Sequence, residues 1–580
     1  MKPNRLVDKF SNIITRMLVG MCGIVILYLT MMSLFSTALI EIDGEGFERT
    51  FYMKDQAWWL VAVFAVLAAG ICILKKRLGS REKQNYRKGM QYILLALFFV
   101  CGLAVFLMTM QYPKSDQGKI LRIAGEVLDG NFAEFAVGGY MHRYPDQTGI
   151  VLVLAGVISL FGTEGYLVVQ VVNLFMLTGM VWLMKCIAER LFAERFRNIG
   201  TYTLLLFLLF VPIYPYVTFI YGTVPGLFFS VLAIYLELCY FKSRRLTTAL
   251  AASVCMGVAI VFKTNSLIMA VALAAFLVYD IIVEQKKRET MVFLIMLLLS
   301  CSMMTRIANI TMEQMTGIPV SEGMPKTAWV AMGLQESNMA PGWWNGFSVN
   351  LYEKCGYDYA LTNEKAIESI VDNFGFFYHN IKDGVTRMGR KMASQWNNPT
   401  FQCYTVNVGR ESERELSPVM EGLLTGSGRE LLTGYMNVFH SILLLGVMLY
   451  FIYAWKHVKI YELLPAVAVL GGFVFHIFWE AKCQYILPYF LLLFPYAVCG
   501  YYYVSETVCA KWSALAQGIE KEQQEKVKSE KKQTMTAIFA VVATVVIIYA
   551  ASKMTVFELT IGINDTPQRL AEYEAIVEER

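Results

Sequence analysis

Long apolar runs separated by short polar segments set the pattern of this chain. Runs near twenty residues, the length that crosses a hydrocarbon core as a helix, fall at 17–40, 57–74, 90–110, 166–185, 199–217, 222–241, 247–262, 266–284, 290–307, 434–454, 460–478, 485–506 and 534–552. They predict thirteen spans and an all-α polytopic membrane protein, since helices satisfy every backbone polar group within the segment. A shorter apolar stretch, "GIVLVLAGVISLFG", occupies 149–162. Two polar regions interrupt the pattern: Tyr112–Gly149, "YPKSDQGKILRIAGEVLDGNFAEFAVGGYMHRYPDQTG", and the longer 308–432. Both exceed what a connection between neighbouring helices needs.

Lys and Arg placement orients the spans, because basic loops stay on the cytoplasmic side. Basic clusters occur at 75–88, at Lys185, Arg190, Arg195 and Arg197, at Lys242, Arg244 and Arg245, at 286–288, at Lys456 and Lys459, and along 507–533. All of them become cytoplasmic if 149–162 does not cross, so that stretch is expected as a juxtamembrane or re-entrant helix on the outer side. The N-terminus is then cytoplasmic, and the long loop and the C-terminus extracytoplasmic, in a multi-pass plasma-membrane protein. The first apolar run lacks a small-residue cleavage site after it and is expected to stay as an anchor.

The expected organisation is a two-span extension at 1–89 and a membrane core at 90–307 carrying an outer loop at 111–162. A small, mixed, mostly helical extracytoplasmic domain follows at 308–432, then the second part of the core at 433–506. A charged cytoplasmic linker (507–533) and a last span with an outer tail (534–580) complete the chain. Within the outer loop, a helix around Lys119–Leu128, a turn at "DGN" and a second helix after Pro145 are predicted.

Composition agrees with a membrane protein: 56% of the 580 residues are hydrophobic, and the mean hydropathy is +0.47. A net charge of +5 gives no reason to expect a nucleic-acid partner. The 12 cysteines form no C-x-x-C pair. Most sit in apolar runs as small hydrophobes, while Cys355 and Cys403 lie in the polar region, close enough in character to pair. Five histidines leave little for a His-based metal site, and no zinc, Walker or Ser-His-Asp pattern occurs.

Four polar clusters are expected at the outer ends of helices. Asp116, in "YPKSDQGK", meets the edge of a low-dielectric region where burial and neighbouring cations tune a general base. The alternative is that Ser115 or Asp116 caps the following helix. Arg143 in "YMHRYPDQTG" offers a planar donor fork suited to phosphate, with His142 and Tyr144 beside it; the alternative is an arginine snorkelling at the interface. Lys263 in "VFKTNSL" stands alone between two apolar runs, placed either to pair with a carboxylate or helix end or to bind phosphate. Glu480 and Lys482 in "FWEAKCQYILPY", followed by Tyr485, are ionisable groups at a helix junction, either functional or a mutual ion pair; Arg306 joins either arrangement.

The ordered pieces "SDQ", "HRYPDQTGIVLVLAGVISLFG", "AIVFKTNSLIM" and "EAKCQYILPY", with "WVAMGL" and "GWWNGF" in the long loop, resemble the GT-C-fold glycosyltransferases. The resemblance is to the branch with lipid A aminoarabinose transferases and protein O-mannosyltransferases, and it spans about 90–505. It implies a polyprenyl-phosphate sugar donor, a cell-surface acceptor and an active site on the outer face. Asp116 would be the base, with the donor phosphate held by Arg143, His142, Lys263, Lys482 and Arg306. Tyr144, Gln147, Glu480, Tyr485, Trp343 and Trp344 would contact substrate. No cofactor is required by the pattern; a divalent cation is left open, with no metal ligands assigned. One departure stands out: the turn where that branch often carries a second Asp reads "FIYGTVPG", with Thr223, so a second acid would come from Glu126, Asp129 or Glu134. The rival classes are a transporter or flippase of lipid-linked glycans, which favours ionisable groups near the midplane and a two-half repeat, and a non-catalytic envelope-assembly protein.

Overall fold

The protein is described by a computed structural model over residues 5–42, 48–55, 84–283, 287–337, 339–404 and 417–516. The spans expected at 57–74 and 534–552, and most of the charged linker, lie outside the described residues. Within them the chain is all-α apart from one hairpin. Eight helices are long and apolar enough to cross a membrane, and the count reaches 11 if each of three bent pairs forms one span. The molecule is a multi-pass membrane protein.

The helices follow the apolar runs, and proline decides where they break. Ile199–Leu209 gives way to a tighter turn over Val211–Thr218 at a 66° bend, where Pro212 and Pro215 remove backbone donors. Cys483–Leu491 and the helix that starts at Phe494 meet at 52°, with Pro488 inside the first. Pro145 opens the short turn before Thr148–Phe161, which lies at 98° to the segment before it. That helix is the 149–162 stretch; it has 14 residues and packs on Ser115–Leu128 and Gly165–Phe192.

The first span differs from expectation. Its helix, Arg5–Phe35, stops short of 40, and Ser36–Ile42 turns into a strand paired antiparallel with Glu48–Lys54. Ala38, Leu39 and Ile40 are buried, so their apolarity serves a protein interior rather than lipid. The hairpin is fastened to the rest of the molecule. Asn397 Nδ2 donates to the Ser36 carbonyl at 2.6 Å, and Arg429 forms a buried ion pair with Glu41.

The region after 316 folds into Lys326–Leu334, Phe347–Lys354, Tyr359–His379, Ile381–Trp396 and Pro418–Leu424. Cys355 and Cys403 are both free thiols, and Cys403 is fully buried. Pairing between them is therefore not seen: Cys403 is shut in the core beside Phe401, whereas Cys355 closes an outlying helix.

Chain direction gives the bundle two distinct ends. Thr223–Ser243 starts after Tyr221 and ends at Arg244; Leu246–Phe262 returns to Lys263; Leu267–Val283 departs again past Asp280. Leu464–Phe478 runs from Glu462 to Trp479. At one end, Arg244 pairs with Asp280, Tyr461 donates to Asp280 at 2.7 Å, Arg195 pairs with Glu462 and Lys459 with Glu194 at 2.7 Å. The N-terminal helix reaches this end as well, with Ser11 and Tyr279 hydroxyls 2.6 Å apart. At the opposite end the turns after Thr109, at 143–147, at 218–222, at 263–265 and at 479–482 converge.

Candidate active site

Local geometry brings those turns together. Asp116 lies in the first turn of Ser115–Leu128, so it is not the residue that caps the helix; Lys114 holds that position and makes no side-chain cap. A carboxylate in a first turn faces the positive end of the helix dipole. The neighbouring Gln117 accepts the Ile220 N–H at 2.8 Å, which ties the turn at 218–222 to this helix. Gly222 has φ +78, and a Cβ there would stand 2.2 Å from the Phe262 carbonyl. Only glycine permits that approach, and it sets Tyr221 beside Lys263, whose Nζ lies 4.6 Å from the Tyr221 ring centre and 5.3 Å from that of Tyr485.

The loop after Lys326–Leu334 is stitched to the turn at 479–482. Ala481 N–H donates to the Gly342 carbonyl at 2.8 Å. Lys391, buried, donates to the carbonyls of Gly333 at 2.6 Å and Ile477 at 3.0 Å; burial pushes its ammonium down to about 7. Glu48, at the start of the second strand, completes the wall. It accepts from Gln402 Nε2 at 3.2 Å and faces Lys482 Nζ at 3.9 Å. Phe401 and Gln402 both take positive φ, 49 and 57, a backbone state costly for side-chain-bearing residues and common where a group must be aimed.

These pieces enclose a cavity of about 470 Å³ lined by Asp116, Lys263, Glu480, Lys482, Tyr485, Tyr144, Gln147 and Trp344, among others. The carboxylate of Asp116 is exposed to it and has no hydrogen-bond or ion-pair partner among the described residues. Its charge acts on Lys263, Glu480, Tyr144 and Tyr221. Burial lowers the Lys263 ammonium to about 8, although Asp116 and Glu480 pull it back upward. Burial raises the Glu480 carboxyl to about 7; Lys482 opposes this, and Glu48 and Asp116 add to it. From Lys263 a crevice of only about 20 Å³ continues between helices, lined by Leu227, Met269, Pro488 and Tyr489 together with the polar Thr223 and Ser230.

Other residues proposed from sequence stand elsewhere. Arg143 is half-buried outside the lining, and its Nε donates to the Gly139 carbonyl at 3.4 Å. His142 turns toward Tyr352 and Tyr357, each 5.8 Å away. Trp343 is buried, with Nε1 bonded to Ser394 at 2.9 Å, and Arg306 is exposed on Lys287–Thr316. Of the substitute acids, Glu126 and Glu134 are both held by Arg122 and Asp129 ends the helix at Leu128; none lines the cavity. Among the described residues no group of three His, Cys, Asp or Glu is placed to hold a metal ion.

Sequence reasoning missed Glu48, Asp146 and the Trp329–Trp479 pair, all in the lining. Asp146 pairs with Lys326 across the cavity mouth, a contact between distant segments that no local pattern encodes.

No family model matches the chain, and no curated protein matches it. Two solved structures show a distant likeness. One is the archaeal oligosaccharyltransferase AglB from Archaeoglobus fulgidus, in complex with an inhibitory peptide and a dolichol-phosphate. It is 10% identical, covers 80% of this chain and 56% of its own, and has a TM-score of 0.39. The other is the Archaeoglobus fulgidus oligosaccharyltransferase in the apo form, 11% identical over 86% of this chain and 60% of its own, also at 0.39. The chain thus spans a little over half the length of either. At that TM-score the likeness fixes neither the fold family nor the chemistry.

Proposed function

We propose that the protein is a membrane glycosyltransferase that moves a sugar from a polyprenyl-phosphate donor to a hydroxyl of a cell-surface acceptor on the outer face. Asp116 takes the acceptor proton as the acceptor oxygen bonds to the anomeric carbon. The bond from that carbon to the phosphate oxygen breaks, and the phosphate leaves beside Lys263 and Lys482. A single displacement of this kind inverts the anomeric centre. The small crevice beyond Lys263 marks the direction in which the donor's lipid would leave the cavity, the helices parting to admit it, and the region of 308–432 contributes the wall that selects the acceptor. Tyr144, Gln147, Glu480, Tyr485 and Trp344 contact substrate; Arg143, His142, Arg306 and Trp343 take no part as they stand.

The observation that carries this reading is the Asp116 carboxylate, unpartnered among the described residues, on a cavity that also holds Lys263, whose ammonium lies against the rings of Tyr221 and Tyr485 and, among the described residues, makes no hydrogen bond or ion pair. A structural acid would be capped or paired, and a structural lysine would be bonded, as Lys391 is. An unbonded cation in a partly dry site awaits an anion.

The test is turnover of purified protein with radiolabelled polyprenyl-phosphate sugars. Asp116→Asn is expected to lose roughly 10²–10⁴-fold in rate, the usual contribution of a general base, with donor binding retained. Unchanged turnover would end the assignment.

A further inference from the structure

Tyr144, placed above among the substrate contacts, shares the cavity wall with two aromatic side chains to which the transfer step gives no task, Trp329 and Trp479. The indoles of Trp329 and Trp479 stack with centres 6.0 Å apart and planes 20° apart. Tyr144 stands 5.9 Å from Trp329 at 51°. All three are half-buried, which leaves ring surface facing the cavity. The indole N–H groups of Trp329 and Trp479 make no hydrogen bond among the described residues, whereas the core indole of Trp343 is bonded to Ser394. Asp146, Gln147, Lys326 and Glu480 line the same cavity.

This combination fits one class of molecule well. A pyranose ring presents a face of C–H bonds, apolar and weakly positive, to the negative face of an aromatic ring. Its rim of hydroxyls then needs indole N–H donors and carboxylate or amide acceptors close by. An alkyl chain would leave those polar groups unpaired, at a cost. Position separates acceptor from donor. The crevice that marks the lipid's direction shares Lys263, Asn265, Gln484 and Tyr485 with the cavity, but none of the three aromatic residues. A sugar on the aromatic wall therefore lies on the side away from the lipid path.

We infer that Tyr144, Trp329 and Trp479 form a saccharide subsite, and that the acceptor is itself a glycan whose terminal pyranose stacks there. The word acceptor rests on the transfer reading; sugar binding at this wall does not.

The test uses the full chain in lipid nanodiscs, labelled with 5-fluorotryptophan and followed by fluorine NMR, with Trp329→Phe and Trp479→Phe identifying the two signals. The probes are maltose, mannobiose, chitobiose and a serine- and threonine-rich peptide. At least one disaccharide should shift both signals with a Kd on the order of 1 mM, and Trp329→Ala should weaken that binding about tenfold while Trp329→Phe keeps most of it. Binding should persist in Asp116→Asn and in protein loaded with a polyprenyl-phosphate sugar. If no disaccharide shifts the signals, or the peptide shifts them equally, the subsite is refuted. Displacement by the loaded donor would assign the wall to the donor's sugar and refute the glycan acceptor. Sugar binding without any transfer activity would leave the subsite standing and remove the transfer reading instead.

Discussion

The cavity sets Asp116, Glu48 and Glu480 against Lys263 and Lys482, and the protonation of this group decides how well an anion is held. Lys263 is charged below about 8 and Glu480 is protonated below about 7. Raising the pH through both values removes a positive charge and adds a negative one, so both changes weaken binding of a phosphate. Donor affinity should therefore fall as pH rises from 7 to 8 and beyond. Lys263→Arg, whose guanidinium keeps its proton, should retain the part lost near 8, and Glu480→Gln should remove the part lost near 7. Donor Kd measured against pH checks this, and a flat profile across both values refutes it. Glu48 acts one step further back, by holding Lys482 at 3.9 Å. Glu48→Gln should raise donor KM by about 2–12-fold, the equivalent of losing roughly 0.5–1.5 kcal/mol of positioning, with a smaller change in kcat. An equal loss in both would mean that Glu48 touches the reacting atoms. Asp116, Lys263, Glu480 and Lys482 were legible because ionisable residues are conspicuous between apolar runs. Glu48 was not, because a glutamate among other charges in a short polar segment carries no such contrast.

Helices were the most legible elements, since a run of apolar residues constrains length and type together. Their breaks were less so: the 199–217 and 485–506 runs read as single spans, yet proline divides each into a bent pair. The hairpin of Ser36–Lys54 was hidden for a different reason. Its first strand continues the apolar run of Arg5–Phe35, and burial in protein looks the same as burial in lipid. The hairpin carries Glu48 into the cavity, so whatever anchors it supports the site. Its main polar anchor is the pair of Glu41 with Arg429, both nearly inaccessible. Removing one partner of such a pair strands a charge and costs about 3–5 kcal/mol, whereas replacing both by apolar side chains of similar size is near neutral. Arg429→Leu should thus lower the melting temperature clearly in detergent, and Glu41→Met with Arg429→Leu should restore most of it. A double variant no better than the single one would show that the hairpin is held chiefly by other contacts, such as Asn397.

The bundle as a whole is polar at both ends in different ways. One end joins its turns with ion pairs among Arg195, Glu462, Arg244, Asp280, Lys459 and Glu194; the other holds the cavity and its stacked aromatic residues. Helices such as Thr223–Ser243 and Leu246–Phe262 connect the two directly, so the basic turns and the cavity fall on opposite faces of any membrane that crosses them. Basic turns favour the cytoplasm, so the proposed reading expects the cavity to face outward, where a sugar acceptor on the cell surface would reach it. The alternation depends on 149–162 staying on one side, as the charges along the sequence lead one to expect; the structure adds that this helix bends by 98° from the segment before it. A membrane-impermeant thiol reagent tests the arrangement. In a background whose own cysteines do not react in intact cells, a cysteine placed at Trp344 should be labelled from outside. One placed at Arg245, exposed between two helices, should react only after permeabilisation. Labelling of both from the same side would mean that the two turns share a face, and labelling at 344 only after permeabilisation would put Lys263 and Asp116 on the cytoplasmic side, where they would serve a different chemistry.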